Sequence, residues 1–180
     1  MGISGHKDSL KELLDNILPK ILPEGVSFKT IPHSGKSDLQ KSIPRKLKGW
    51  GTNNTSFVIL HDKDSNDCIK LKRALQALCD KADRPDTLVR IVCTELESWY
   101  LGDLAAVEEA YNIKNLSKQQ TKSKFRDPDS IENAAEEIKK IVKSYQKISG
   151  ARLISKNMNI SNNLSKSFNI FVEGIKRICG

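Results

Sequence analysis

The chain has 180 residues, 38% of them hydrophobic and 29% charged, with a formal net charge of +8. That is the length of one ordinary domain, with enough apolar material for a real core and no apolar run long enough to span a bilayer. The excess charge is uneven: residues 1–111 carry 16 Lys and Arg against 16 Asp and Glu, whereas residues 112–180 carry 14 against 6. A positive field confined to the second part points to a polyanionic partner such as nucleic acid, although lysine-rich helices are also simply well solvated.

The chain opens with MGISGHKDSLKELL, which has no basic stretch leading into an apolar core, and His6 stands where the myristoylation pattern needs Ser or Thr. No secretory signal or lipid anchor is expected. Leu10, Leu13, Leu14, Ile17 and Leu18 recur at helical spacing, and Pro19 and Pro23 close the segment. VSFKTI, residues 26–31, follows as a short strand candidate. Residues 38–48, DLQKSIPRKLK, read as a helical or broken helical piece, because Pro44 interrupts it. SFVILH, residues 56–61, is a continuous apolar run of the kind found in strands covered on both faces. Leu71, Leu75 and Leu78 mark another helix, LVRIVC another buried strand, and ESWYLGDLAAVEEAY more helix. Alternating strands and helices predict an α/β fold with a mainly parallel central sheet, helices on both faces, and the strands of residues 56–61 and 88–93 adjacent or one apart. One domain is expected over residues 1–180: a strand and helix core over 1–111 and a basic helical extension over 112–180. Cys68, Cys79, Cys93 and Cys179 form no CxxC pair, so reduced thiols and a cytoplasmic location are expected.

In open parallel sheets, ligands bind beyond the carboxyl ends of the strands. Asp62 and Asp64 follow the first apolar strand there. Two residues apart, they leave the same face if the strand geometry persists, and they repel unless a cation lies between them. Clustered carboxylates suit Mg²⁺ or Mn²⁺. The bland account is a solvated loop, with Asp64, Ser65 or Asn66 capping the helix from Asp67 onward. Glu95 and Glu97 follow the second apolar strand at the same edge, and there the bland account is a helix start favoured by the dipole. Trp99 and Tyr100 read as core residues more readily than as base-stacking platforms. HSGKSD places Gly35 and Lys36 before a helix, where Lys36 is a phosphate contact candidate, but the spacing of a P-loop is absent. His33 and His61 read as structural. Lys124 and Arg126 in KSKFRDPD, and Lys166 in SKSFN, are candidate contacts to a nucleic-acid backbone, with affinity from phosphates and strong salt dependence.

The element order, with one strand ending in HDKD, resembles the Toprim fold, the catalytic domain of topoisomerases, primases and overcoming-lysogenization-defect nucleases. The wording is closer still to a bacterial family, domain of unknown function 4276, usually placed in that superfamily. LPKILPE, HSGKSDLQKSIPRKL, ILHDKDSNDC, RIVCTELESWYLGD, KFRDPD and SKSFNIFVEGI carry the resemblance in order along nearly the whole chain. It implies Mg- or Mn-dependent phosphodiester chemistry, with Asp62, Asp64, Glu95 and Glu97 as catalytic acids and Asp62, Asp64 and Glu95 as metal ligands. It also implies a setting in phage-defence loci beside an ABC-type ATPase.

One departure stands out. Toprim domains end their first strand in a glutamate, and Ser4 falls at that place with almost no strand before it, so that strand lies upstream or was lost or rebuilt. A serine adds no negative charge and is a poor base without a partner. Asp8 and Glu12 fall on the first helix and turn away. Two functions are therefore expected in competition: a metal-dependent nuclease, or a non-catalytic Toprim-like partner that binds an ATPase or nucleic acid through its pocket or an exposed Trp99 region. The expectation for the chain alone is very slow or absent cleavage with salt-sensitive binding of nucleic acid.

Overall fold

The computed structural model describes residues 2–4, 7–51, 54–63 and 67–180. Four strands, β1 (Gly2–Ser4), β2 (Ile31–His33), β3 (Val58–Asp62) and β4 (Leu88–Val92), pair in parallel in the order β2-β1-β3-β4. The two apolar runs are adjacent strands, as the sequence predicts. A strand does end at Ser4. It is three residues long, it lies inside the sheet, and Ser4 stands in register with His33 on one side and His61 on the other.

The strand expected over residues 26–31 begins instead at Ile31. Gly25 adopts φ +82° and the Val26 amide bonds back to the Pro23 carbonyl at 3.2 Å, so this stretch starts as a turn with Val26 exposed. Of the two readings of residues 38–48, the helix is the one observed. Helix α2 (Lys36–Lys48) runs through Pro44, because Leu39, Ile43 and Leu47 form one buried stripe on both sides of it. Likewise α1 (Lys7–Ile21) continues past Pro19 to bury Ile21. In both helices tertiary burial outweighs the one backbone bond that a proline removes.

Alternation along β3 sends Val58 and Leu60 to one face of the sheet and Phe57 and Ile59 to the other. The second face is covered by α2 and by α3 (Cys68–Asp80), through Leu39, Ile43, Leu71 and Leu75. The first face carries the larger core. It is built from α1, α4 (Glu97–Leu101), α5 (Leu104–Tyr111), α6 (Ala134–Ile141), α7 (Lys147–Asn157) and α8 (Lys166–Cys179). Helix α7 packs on α1 and α5, and α8 on β4. Two polar links tie α7 to α1. Lys20 Nζ donates to the carbonyls of Ser155, Lys156 and Met158 at the C-terminal end of α7, and Arg152 grips Glu12 with two bonds of 2.7 and 2.8 Å.

Trp99 is fully buried, stacked on Phe171 at 5.3 Å between ring centres and edge-on to Phe168, and its indole N–H donates to Ser167 Oγ at 2.8 Å. The core reading of Trp99 holds. An exposed Trp99 docking region does not exist, because α8 covers the ring.

Candidate functional site

Asp62 is the last residue of β3. It shares the side-chain alternation of Val58 and Leu60, so it faces the same side of the sheet as α1 and α4. The adjacent β4 ends at Val92, whose carbonyl accepts the Lys63 amide at 2.9 Å and holds the two strand ends together. Beyond it Thr94 adopts φ +61°, a left-handed conformation that costs a β-branched residue on the order of 1–2 kcal/mol. Its hydroxyl donates to the Cys93 carbonyl at 2.7 Å and lies 2.8 Å from Ser98 Oγ, which fixes the turn. The turn brings Glu95 and Glu97 back over the strand ends. Asp62, Thr94, Glu95 and Glu97 line one cavity of about 60 Å³ with Ser9 of α1 and Lys147 of α7.

Both glutamates also have structural work. Glu95 Oε2 accepts the Ala135 amide at 2.9 Å, in the first turn of α6, a carboxylate placed at the positive end of a helix. Glu97 is buried at the start of α4; its Oε1 accepts the Tyr145 hydroxyl at 2.9 Å and lies 3.9 Å from Lys147 Nζ. Burial, then Tyr100 and Glu97, pushes the Tyr145 hydroxyl far above the usual phenol range. Tyr100 lies fully buried behind the same acids. Burial first, then the charges of Glu97 and Asp62, raises its pKa well above the usual value. Its hydroxyl has no hydrogen-bond partner among the described residues, and a buried polar atom left so usually faces a water or ion.

Among the described residues, no group of three or more His, Cys, Asp or Glu side chains is placed to hold a metal ion. Asp64, the second half of the predicted aspartate pair, lies outside the described residues, as do Ser65 and Asn66. The donors present are carboxylate oxygens, the type Mg²⁺ takes, but Glu95 and Glu97 each commit one oxygen to the protein, so the described donors do not by themselves form a metal site. The cap of α3 is Asp67 itself, one position later than expected: its Oδ1 accepts the amides of Ile69 and Lys70 at 2.8 and 2.9 Å. One of the three clustered aspartates is thus a helix cap.

The predicted phosphate contacts do not converge. Lys36 opens α2 beside β2, two strands from β3, and its side chain lies outside the described part of the structure. The loop before it is already neutralised, since Asp38 Oδ2 accepts the Ser34 amide at 2.9 Å. Lys124 pairs with Glu137 and lies over the Phe125 ring, whereas Arg126 is exposed and unpaired among the described residues. Lys166 opens α8 and lines a different cavity, along β4. His33 and His61 are buried; His33 contacts Ser42 Oγ at 3.3 Å, and burial followed by the Lys46 charge lowers its pKa.

Asp129, in the last of three short 3-10 turns (Ser117–Gln119, Ser123–Phe125, Pro128–Ser130), accepts the Ser167 amide and the Ser165 hydroxyl, both at 2.7 Å. KFRDPD and SKSF therefore meet as a clamp on the start of α8. Ser9 and Lys147 complete the lining of the acidic cavity and Tyr145 binds Glu97 behind it, and nothing in the linear spacing singles out Tyr145 and Lys147, some fifty residues from Glu97.

A family model described as a domain of unknown function (DUF4276) matches residues 8–176. The chain belongs to that family. No curated protein and no solved structure matches it. No helix among the described residues is long and apolar enough to cross a membrane, and the four cysteines are free.

Proposed function

We propose that the protein is a Toprim-type, Mg- or Mn-dependent nuclease that acts on nucleic-acid phosphodiesters at the carboxyl ends of β3 and β4. The observation that carries this reading is the polar cavity that Asp62 lines together with Glu95, Glu97 and Lys147 from two other parts of the chain, backed by the unsatisfied Tyr100 hydroxyl. Asp62, with Asp64 as its partner in the sequence, would hold a divalent ion, and that ion would supply charge neutralisation at the phosphate. The protein's own groups do the rest. Lys147, on the cavity wall, attracts and orients the phosphate, and the basic second part of the chain, including Arg126, holds the backbone. Glu95 and Glu97 fix the floor of the site through α6 and Tyr145. A cytoplasmic setting beside an ABC-type ATPase in a phage-defence locus belongs to the same reading.

A second reading has its own support. Ser4 occupies the strand end where a Toprim catalytic glutamate is expected, and both glutamates of the cavity are tied to the scaffold. On that reading the chain binds nucleic acid or an ATPase and does not cut.

Mn²⁺-dependent nicking of plasmid and cleavage of bulk tRNA separates them, with the native chain compared against Asp62→Ala and Asp64→Ala. Cleavage that needs Mn²⁺ and disappears in both variants establishes the nuclease. Salt-sensitive binding of both nucleic acids without cleavage, in the presence and absence of the metal, leaves the binding reading. Cleavage that persists in the alanine variants removes this site from consideration.

A further inference from the structure

A second cavity, of about 780 Å³, runs along the outer edge of β4 between α3 and α8, and the nuclease reading makes no use of it. Strand β4 is the last in the sheet. The Leu88 amide bonds to the Phe57 carbonyl and the Val92 carbonyl accepts the Lys63 amide, so the even-numbered residues of β4 pair with β3. In a parallel ladder the alternate residues, Val89 and Ile91, then direct their amides and carbonyls to the open edge.

The edge has the walls of a strand site. Ile69 of α3 is 63% exposed on one side and Ile170 of α8 is 52% exposed on the other, both lining the cavity. A strand laid beside β4 would send alternate side chains against these two isoleucines. The rim is cationic. Lys72, Arg73 and Lys166 have no ion-pair partner among the described residues. Arg90 is locked by bonds from Nε to the Ile170 carbonyl at 3.1 Å and from Nη1 to the Val89 carbonyl at 3.0 Å. Gly174 makes room for it: a Cβ there would lie 2.6 Å from Arg90 Nη2. Among the described residues the acidic lining is limited to Asp127 and Asp129, and Asp129 is committed to the clamp on α8.

We propose that this edge is a docking groove for an extended acidic segment of a partner protein, which adds to the sheet as a fifth strand beside β4. Backbone bonds to Ile91 and the Val89 amide set the register, alternate apolar side chains cover Ile69 and Ile170, and carboxylates meet Lys72, Arg73 and Lys166. Charge selects the occupant. A second copy of this chain pairing β4 to β4 would bring two sets of the same cations together. Nucleic acid satisfies the charge but not the walls, since among the described residues no aromatic side chain lines the groove to stack a base.

The test is fluorescence anisotropy with a labelled octapeptide of alternating glutamate and valine on the full chain. Its controls are the same peptide with alternate backbone amides methylated, a lysine–valine octapeptide, and a single-stranded DNA twelve-mer as competitor. The expected result is saturable binding of the glutamate–valine peptide alone. Methylation should weaken it about tenfold or more, the loss of one or two backbone bonds. Lys72→Glu with Arg73→Glu, and separately Ile69→Asp, should each weaken it by about tenfold or more while melting as the native chain does, because all three residues are on the surface. No binding of the peptide, equal binding of its methylated form, or displacement of the peptide by the DNA overturns the proposal. Asp62 is not in this groove, so such a failure leaves the nuclease reading standing, and loss of cleavage in Asp62→Ala leaves this proposal standing.

Discussion

The Tyr145 hydroxyl donates a hydrogen bond to Glu97 Oε1 at 2.9 Å, joining two buried residues 48 positions apart. This bond ties the loop before α7 to the start of α4 and keeps a carboxylate facing the polar cavity instead of apolar core. Removing the donor leaves the carboxylate buried without that hydrogen bond, with Lys147 Nζ 3.9 Å away, and an under-satisfied buried charge is costly. Tyr145→Phe should therefore lower unfolding stability by about 1–3 kcal/mol in urea titrations. A change near zero would show that water replaces the phenol at no cost.

Gly150 of α7 makes that bond possible. A Cβ at this position would lie 2.2 Å from Tyr145 Cε2 and 3.1 Å from the Tyr111 hydroxyl. Although alanine normally stabilises a helix interior over glycine, Gly150→Ala must push the Tyr145 ring away from Glu97. It is expected to lose about 1–3 kcal/mol by overpacking, and a variant as stable as the native chain would contradict the packing described. The double variant with Tyr145→Phe should lose less than the sum of the two single losses, because both act on one ring.

The Arg152 grip on Glu12 predicts a pH dependence. Its hydrogen bonds, opposed by some burial and assisted by the Arg152 charge, hold the Glu12 carboxyl below its usual value of 4.5. The folded state thus favours the charged form, so this stabilisation is complete above the unfolded value and is lost as pH falls through the lower folded value. The pair is solvent-exposed, so solvent screening keeps its contribution small. Melting temperatures of the native chain and Arg152→Gln should differ at pH 6 and converge as pH drops below 4.5. A gap that widens on acidification would reverse the sign of the argument.

Ser4 offers the sharpest check on catalysis. It ends β1 in register with His61, one residue before Asp62 in β3, so position 4 lies at the carboxyl ends of the strands, as the proposed site does. General acid or base groups contribute on the order of a hundredfold to ten-thousandfold. Ser4→Glu should raise Mn²⁺-dependent cleavage by a factor in that range, and adding Asp62→Ala to it should abolish the gain. If Ser4→Glu leaves cleavage unchanged, β1 does not serve this site.

Much of the framework could be read from local signals, because buried parallel strands and amphipathic helices write their burial into the order of residues. The apolar runs before Asp62 and around Val92, the leucine stripe of α1, and the core placement of Trp99 all follow from hydrophobic patterning. So does the expectation that carboxylates gather where β3 and β4 end. Patterning failed where a long-range interaction outweighed a local preference: Pro44 and Pro19 stay within helices because the residues beyond them are buried, and β1 forms from three residues because two longer-range neighbours flank it. The partners of the acids could not be read at all. Glu95 serves α6 and Glu97 binds Tyr145 only because the chain returns through α6 and α7, and KFRDPD, a charged stretch by composition, proves to be a clamp through Asp129 on α8. Sequence records what each residue gains by leaving water; which oxygen meets which hydrogen depends on chain closure over tens of residues, and that was decided by the tertiary structure alone.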